Sequence, residues 1–432
     1  MKKTFIIIVI GRILQVIVSF LTLKVVTNYL SKENVAYYFL LLSIMNYFGL
    51  SLISPAGQYF NRKVHFWHSN KILFNRMFNH FIYVSIISLF SVFVIYLCMA
   101  SFELLNGLDP LLISTLIGTT ILFNTITTTI VPTFNMLEYR ISYVFFNLSW
   151  VTLSLISSVI LINIFDKNVY YWFCGQIVVQ FSISVIAIIF LKKTLKEPFS
   201  MTESFSAITI DNIKNVLSFS APLLVSTMLM WITIDSFRFI LEKTHGLTYV
   251  GIFSVGFAIA QRFSYASETI AQQVFFPEYY KKINDTDKIN RSNAWMKLFY
   301  SCLPVYVLTL LFTVIFSSLL IDIFSGPQYQ NAQYFVVTGA FFHFFRKITA
   351  IFAMSAHSEM KTSILIKPYF VGAIFSSVIV FYFSDKNYNL PATIITIGSF
   401  FMLVTMIYNT KKLISFKWSN KEAFQTIIGY FK

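Results

Sequence analysis

Charge is what this chain has least of. Only 12% of its 432 residues are Asp, Glu, Lys or Arg, while 56% are hydrophobic and 49 are Phe. A soluble globule of this size could not cover its surface with so few charges, so an integral membrane protein is expected. Cysteine is also scarce: Cys98, Cys174 and Cys302 lie far apart inside apolar segments, with none of the close spacings of metal sites or redox pairs. No Gly is followed by Lys, which excludes a phosphate-binding P-loop and a built-in ATPase. The six His are scattered and there is no His-Glu-x-x-His motif. No enzyme, cofactor or metal is expected.

Long apolar runs are what it has instead. Stretches of about 20 residues, the length that crosses roughly 30 Å of hydrocarbon, fall near 5–29, 34–56, 77–101, 110–131, 143–165, 169–191, 215–240, 248–273, 296–321, 332–356, 362–383 and 389–410. The expected fold is therefore an all-α integral membrane protein of about twelve transmembrane helices. Met1-Lys2-Lys3 before Phe5 to Ile10 resembles a signal peptide, but Gly11-Arg12 interrupts the run and no small-x-small cleavage site follows. An uncleaved first helix is the better reading.

The basic excess, 33 Lys and Arg against 18 Asp and Glu, falls into a pattern. Of the 33, 22 lie in the tails and loops on the N-terminal side, with Lys297 counted in the loop it ends, 4 on the other side (Lys32, Lys167, Lys243, Lys386) and 7 within spans. Positive loops mark the cytoplasmic face, so both termini are expected inside. No nucleic-acid partner is needed to explain the surplus. The outer loops are short, leaving no external domain in which to house catalysis.

Four regions are expected. Residues 1–192 form an N-terminal six-helix bundle, 193–214 a cytoplasmic linker, 215–410 a C-terminal six-helix bundle and 411–432 an amphipathic cytoplasmic tail rich in Lys and aromatics. The inner loop Pro277–Lys297 is expected to carry short surface helices. An offset of 214 lays Ala36-Tyr37-Tyr38-Phe39 on Val250-Gly251-Ile252-Phe253, and Lys24 on Arg238. An offset of 221 lays Glu138-Tyr139-Arg140 on Glu359-Met360-Lys361. Two near-equal offsets favour a 6+6 pseudo-repeat, an arrangement in which transporters bind substrate between the halves.

Charges inside spans mark the candidate site, because each costs at least a few kcal/mol at a bilayer centre and persists where it meets water, a partner or a ligand. In span one Arg12, Gln15, Ser19 and Thr22 share a helical face. Read functionally they line a cavity; read structurally they glue helices together while Arg12 snorkels. Lys24 sits near the outer end of that span. Asp235 and Arg238, three apart, can pair within span seven, which gives a purely structural role as much weight as gating or binding. Arg262, roughly 21 Å into span eight by helical rise, is the best single candidate for binding. Glu268 is either the partner of a nearby lysine or a protonatable coupling group. Span ten carries His343, Arg346 and Lys347. The Thr120, Asn124 and Thr127 stripe of span four reads as packing.

Gly11-Arg12, the turn Thr27-Asn28-Tyr29-Leu30-Ser31-Lys32-Glu33-Asn34-Val35-Ala36-Tyr37-Tyr38, the Gly49 region and Tyr249-Val250-Gly251-Ile252-Phe253-Ser254 together give a resemblance. The chain resembles the polysaccharide and O-antigen flippases of the multidrug/oligosaccharidyl-lipid/polysaccharide exporter superfamily. That resemblance implies two six-helix bundles around a V-shaped central cavity in a bacterial inner membrane. It also implies a substrate: a polyprenyl-diphosphate-linked oligosaccharide, an O-antigen or capsule repeat unit of lipopolysaccharide biosynthesis, passed from the inner to the outer leaflet by alternating access. Arg12, Lys24, Arg238, Arg262 and Arg346 would bind it. Asp235 and Glu268 would gate, or couple transport to H+ or Na+. Other polysaccharide-assembly membrane proteins would be partners. Two readings compete. A multidrug cation exporter of the same superfamily is disfavoured by the surplus of embedded bases. An O-antigen polymerase or lipid-linked glycosyltransferase is disfavoured by the short outer loops.

Overall fold

The computed structural model describes residues 2–102, 105, 107–206, 208–276, 279–280, 288–359 and 361–413. Among these the chain is helical and contains no strand. Eleven helical stretches are long and apolar enough to cross a membrane. The protein is thus a multi-pass membrane protein. The eighth expected span forms a 28-residue helix, Leu247–Val274, but it is not among the eleven. Its Gln261, Arg262, Glu268 and Gln272 dilute an otherwise apolar run. The expected amphipathic tail falls outside the described residues beyond Leu413, as do 277–278 and 281–287 of the Pro277–Lys297 loop.

Two compact units make up the chain, Met1–Met228 and Leu229–Lys432. In the first, α1 (Lys2–Tyr29), α2 (Lys32–Tyr47), α3 (Ser54–Ser69), α4 (Leu73–Phe102), α5 (Pro110–Met136), α6 (Arg140–Ile164) and α7 (Val169–Leu195) follow in order. Short polar residues start several of them by accepting from backbone N–H groups that lack a helical partner. The Ser31 hydroxyl accepts from the Asn34 amide at 3.2 Å, and the Asp109 carboxylate from the Leu112 amide at 2.8 Å, just ahead of Pro110.

The second span does not stop at Ser54-Pro55 as expected. A π-helical turn, Phe48–Ile53, joins α2 to α3, and the whole forms one stretch, Lys32–Ser69. Pro55 follows directly on this turn, and the Ser54 amide just before it reaches back to the Gly49 carbonyl.

Helix contacts in this unit rest on small and hydroxyl residues. Ser158 of α6 donates to the Trp172 carbonyl of α7 at 2.8 Å. A Cβ placed on Gly175 would lie 2.5 Å from the Ser158 Cα, so the two backbones meet at a point only Gly can occupy. Thr127 and Ser184 hydroxyls meet at 2.8 Å between α5 and α7. At Thr127 the α5 polar stripe therefore packs one helix on another.

After α7 the chain is stapled back onto α4. Glu197, buried, accepts from the Phe74 amide at 3.0 Å and meets His68 Nδ1 at 2.9 Å. Its carboxylate caps the N-terminus of α4, where negative charge is favoured. Asn75 completes the staple by accepting from the Ser200 amide at 3.3 Å. Short α8 (Met201–Ser206) and then α9 (Ile210–Trp231) follow.

In the second unit a π-helical turn, Ile232–Ser236, leads into α10 (Phe237–His245), which Gly246 ends at φ +79°. There α11 (Leu247–Val274) begins. The ninth expected span, 296–321, is corrected: its helix runs Lys288–Ile315, and Ser317–Phe324 is a separate helix. It starts early because its first turns are anchored. Arg291 bonds Glu359 at 3.0 Å, and buried Trp295 donates to the Ile351 carbonyl at 2.8 Å while stacking on Phe299. It breaks where Phe316 leaves helical geometry at ψ 15°. Gln333–Ser358 and Leu390–Thr410 complete the long helices.

Candidate substrate site

Five charged side chains meet in the second unit. Asp235 lies in the π-helical turn Ile232–Ser236 and Arg238 in the first turn of α10. They form an ion pair at 2% and 8% exposure. Arg238 Nε also donates to the Ser254 hydroxyl of α11 at 3.3 Å, and its guanidinium lies 5.2 Å from the Phe237 ring centre. The pairing that i, i+3 spacing allows is formed.

A second pair joins α11 to the Gln333–Ser358 helix: Lys347 Nζ bonds Glu268 Oε2. Glu268 therefore has a lysine partner, one that lies in the same unit on span ten. Lys347 thus joins the candidate site, where the sequence had put forward its neighbour Arg346. The signal was present in the adjacent Arg346-Lys347, since only one of two successive residues can share the His343 face.

Arg346 keeps different company. Its guanidinium approaches His343 Nδ1 at 3.4 Å and sits 5.5 Å from the Phe342 ring centre. His343 is buried at 3% exposure, and it hydrogen-bonds the Phe257 backbone on α11. Arg238, Arg346 and Lys347 all act electrostatically on His343, while Glu268 and Asp235 act on Arg346. Among the described residues the neighbourhood thus holds three cations against two carboxylates, and each carboxylate is already engaged by a cation other than Arg346. Such an excess in a desolvated setting favours an additional anion.

The remaining candidates are placed as follows. Arg262, half-buried on α11, turns back along its own helix and donates to the Ala258 carbonyl at 3.2 Å. Arg12 and Lys24 belong to the first unit. Arg12 donates to Gln15 at 2.8 Å and lies 5.3 Å from the Tyr143 ring centre on α6. Its Nε and the Asn147 Oδ1 of α6 are buried without hydrogen-bond partners beside one small pocket. Arg12 thereby faces the polar side of α6. Lys24 is half-buried a little over one turn before the end of α1.

The sequence profile of the family described as Polysaccharide biosynthesis protein matches residues 1–281. The chain belongs to this family. Among curated proteins none matches by sequence. Solved structures share the fold, among them the following three. The lipid II flippase MurJ in an inward closed conformation superposes with TM-score 0.68 at 15% identity, over 100% of this chain and 91% of that one. A multidrug resistance MATE family transporter of the MOP superfamily gives TM-score 0.67 in an inward-facing conformation, at 10% identity over 93% and 94% of the two chains. An outward-facing MATE structure gives 0.61 at 12% identity over 95% and 96%. The polysaccharide-biosynthesis family member described here therefore has the fold of MOP-superfamily flippases and transporters.

Proposed function

We propose that this chain is a flippase for a polyprenyl-diphosphate-linked oligosaccharide, carrying it from the inner to the outer leaflet of a bacterial inner membrane by alternating access. The observation that carries the reading is the surplus cation, Arg346, in a cluster whose carboxylates are already engaged by Arg238 and Lys347. A diphosphate is a dianion or more, and a guanidinium in a low-dielectric site is a strong, directional donor to it. Arg346 and Arg262 would grip the diphosphate. Arg238, held by Asp235, would orient the site more than bind. The lipid II substrate of the similar MurJ and the polysaccharide-biosynthesis family both support a lipid-linked saccharide.

Moving negative charge outward is favoured by an inside-negative potential, by about 2.3 kcal/mol per charge per 100 mV. Transport could then run without ion coupling. Coupling to H+ or Na+ through Glu268 would require it to release Lys347. The likeness to MATE transporters favours a second reading, export of small cationic drugs. The three-to-two excess of bases over acids opposes it, since a cationic substrate needs the reverse.

Deletion of the chain tests the choice. In cells making a surface polysaccharide, its loss should leave lipid-linked repeat units on the inner face and none at the surface. Unchanged surface polysaccharide together with greater sensitivity to cationic drugs would favour the second reading instead.

A further inference from the structure

The first unit holds a cavity of about 860 Å³ away from the charges discussed above. One wall is α4, where Phe74, Phe78 and Phe81 recur at four- and three-residue steps and so share a face. The other is the end of α7, with Ile189 and then Lys192 and Lys193 in its last turn. Lys196 follows in left-handed geometry at φ 51°, which ends the helix and turns a third ammonium to the same rim. The floor is Phe199. Its ring meets those of Phe74 and Phe78 edge-on at 5.4 Å each, and Lys192 Nζ lies 5.5 Å from its centre.

Lysines in a last turn have an ordinary role, complementing the partial negative charge of a helix end. Three features exceed it here. All three lysines are exposed, and among the described residues none lies within 4 Å of a carboxylate. The acid that lines the groove, Glu197, is already taken up by the Phe74 amide and His68. The walls below the lysines are apolar, and they continue into exposed apolar faces of both helices, Ile186 and Ile189 on α7, Ile86 and Leu89 on α4. A basic rim over an apolar slot that opens toward hydrocarbon matches one kind of molecule: a negatively charged amphiphile. The volume lies within the ~300–1,000 Å³ range of small-molecule sites.

We infer that this groove binds an anionic glycerophospholipid of the surrounding bilayer. Its phosphate is held by Lys192, Lys193 and Lys196, and its chains pass between the α4 phenylalanines and Ile189. The site adjoins the first residues of the segment between α7 and α9, stapled to α4 by Glu197 and Asn75. A bound lipid therefore stiffens the start of the segment that joins α7 to α9. The inference is independent of what the protein transports.

The test uses the full chain, purified and stripped of lipid. Native mass spectrometry would follow binding of phosphatidylglycerol and of phosphatidylcholine with matched acyl chains. Phosphatidylglycerol should bind at least tenfold more tightly. The Lys192→Gln/Lys193→Gln/Lys196→Gln variant should lose most of that preference, since one basic group near an anionic surface is worth about fivefold. Equal binding of the two lipids, or an undiminished preference in a variant with wild-type melting temperature, overturns the inference. Location is read separately with Phe78→Trp, which keeps all three lysines. Phosphatidylglycerol with brominated acyl chains should quench the added fluorescence, and absence of quenching removes the groove as the site. Displacement of phosphatidylglycerol by equimolar polyprenyl phosphate would assign the groove to the carrier lipid and overturn the choice of a bilayer lipid.

Discussion

The Asp235–Arg238 pair allows a sharp test of what an intramembrane ion pair does in this fold. Asp235→Asn removes the negative partner and leaves a guanidinium that is 8% exposed, whose contacts include the Ser254 hydroxyl at 3.3 Å and the Phe237 ring. Neither supplies a countercharge. Breaking a buried pair from one side costs about 3–5 kcal/mol, because the surviving charge stays desolvated. Arg238→Met exposes the mirror-image problem, a carboxylate 2% exposed and without its cation. The double variant Asp235→Asn/Arg238→Met buries no charge, and replacement of a buried pair by groups of similar volume is often close to neutral. Each single variant should therefore lose about 3–5 kcal/mol and the double roughly 2 kcal/mol or less. Unfolding by SDS titration in mixed micelles measures all four proteins on one scale. A double variant as unstable as the sum of the singles, or an Asp235→Asn protein within about 1 kcal/mol of wild type, would refute the reasoning.

Three further outcomes are expected. Arg262→Ala should abolish surface polysaccharide export while Arg262→Lys keeps part of it, both measured in cells with membrane-inserted protein confirmed by immunoblot; full export by Arg262→Ala would remove it from the site. Gly175→Ala should cost about 1–3 kcal/mol, because its methyl would meet the Ser158 backbone, which cannot yield as a side chain can; a melting temperature equal to wild type would show that α6 and α7 separate freely. Glu197→Gln should cost about 1–2 kcal/mol by weakening the cap on α4, read as a lowered melting temperature of the purified protein, whereas Lys193→Gln on the same segment should melt like wild type.

Much of this architecture was legible because membrane spans announce themselves through length and apolarity alone. The helices at 169–191 and 389–410 came out close to their sequence bounds, Val169–Leu195 and Leu390–Thr410. What failed was local. Ser54-Pro55 reads as a stop, yet a π-helical turn just before it carries the helix on through the proline. Lys288 to Ala294 reads as loop because it is polar, but the burial of Trp295 and the Arg291–Glu359 bond are tertiary facts that no local pattern carries. At the site, spacing was enough to pair Asp235 with Arg238. It could not join Glu268 to Lys347, 79 residues apart, because such a pairing depends on which helices pack. The lysine groove went unread for the same reason: Phe74 and Lys192 come to line one groove only once α4 and α7 both pack on α5.

The central claim is that an anionic lipid-linked saccharide crosses the membrane through this chain, gripped by the cation its own carboxylates leave over. The most direct test is a translocation assay in proteoliposomes holding the purified protein and a polyprenyl-diphosphate-linked oligosaccharide, followed by an impermeant glycan-modifying reagent. Wild-type vesicles should expose the inner pool to the reagent, and Arg346→Ala vesicles should behave like protein-free ones. Wild-type vesicles no faster than protein-free vesicles, or Arg346→Ala as fast as wild type, would contradict the account.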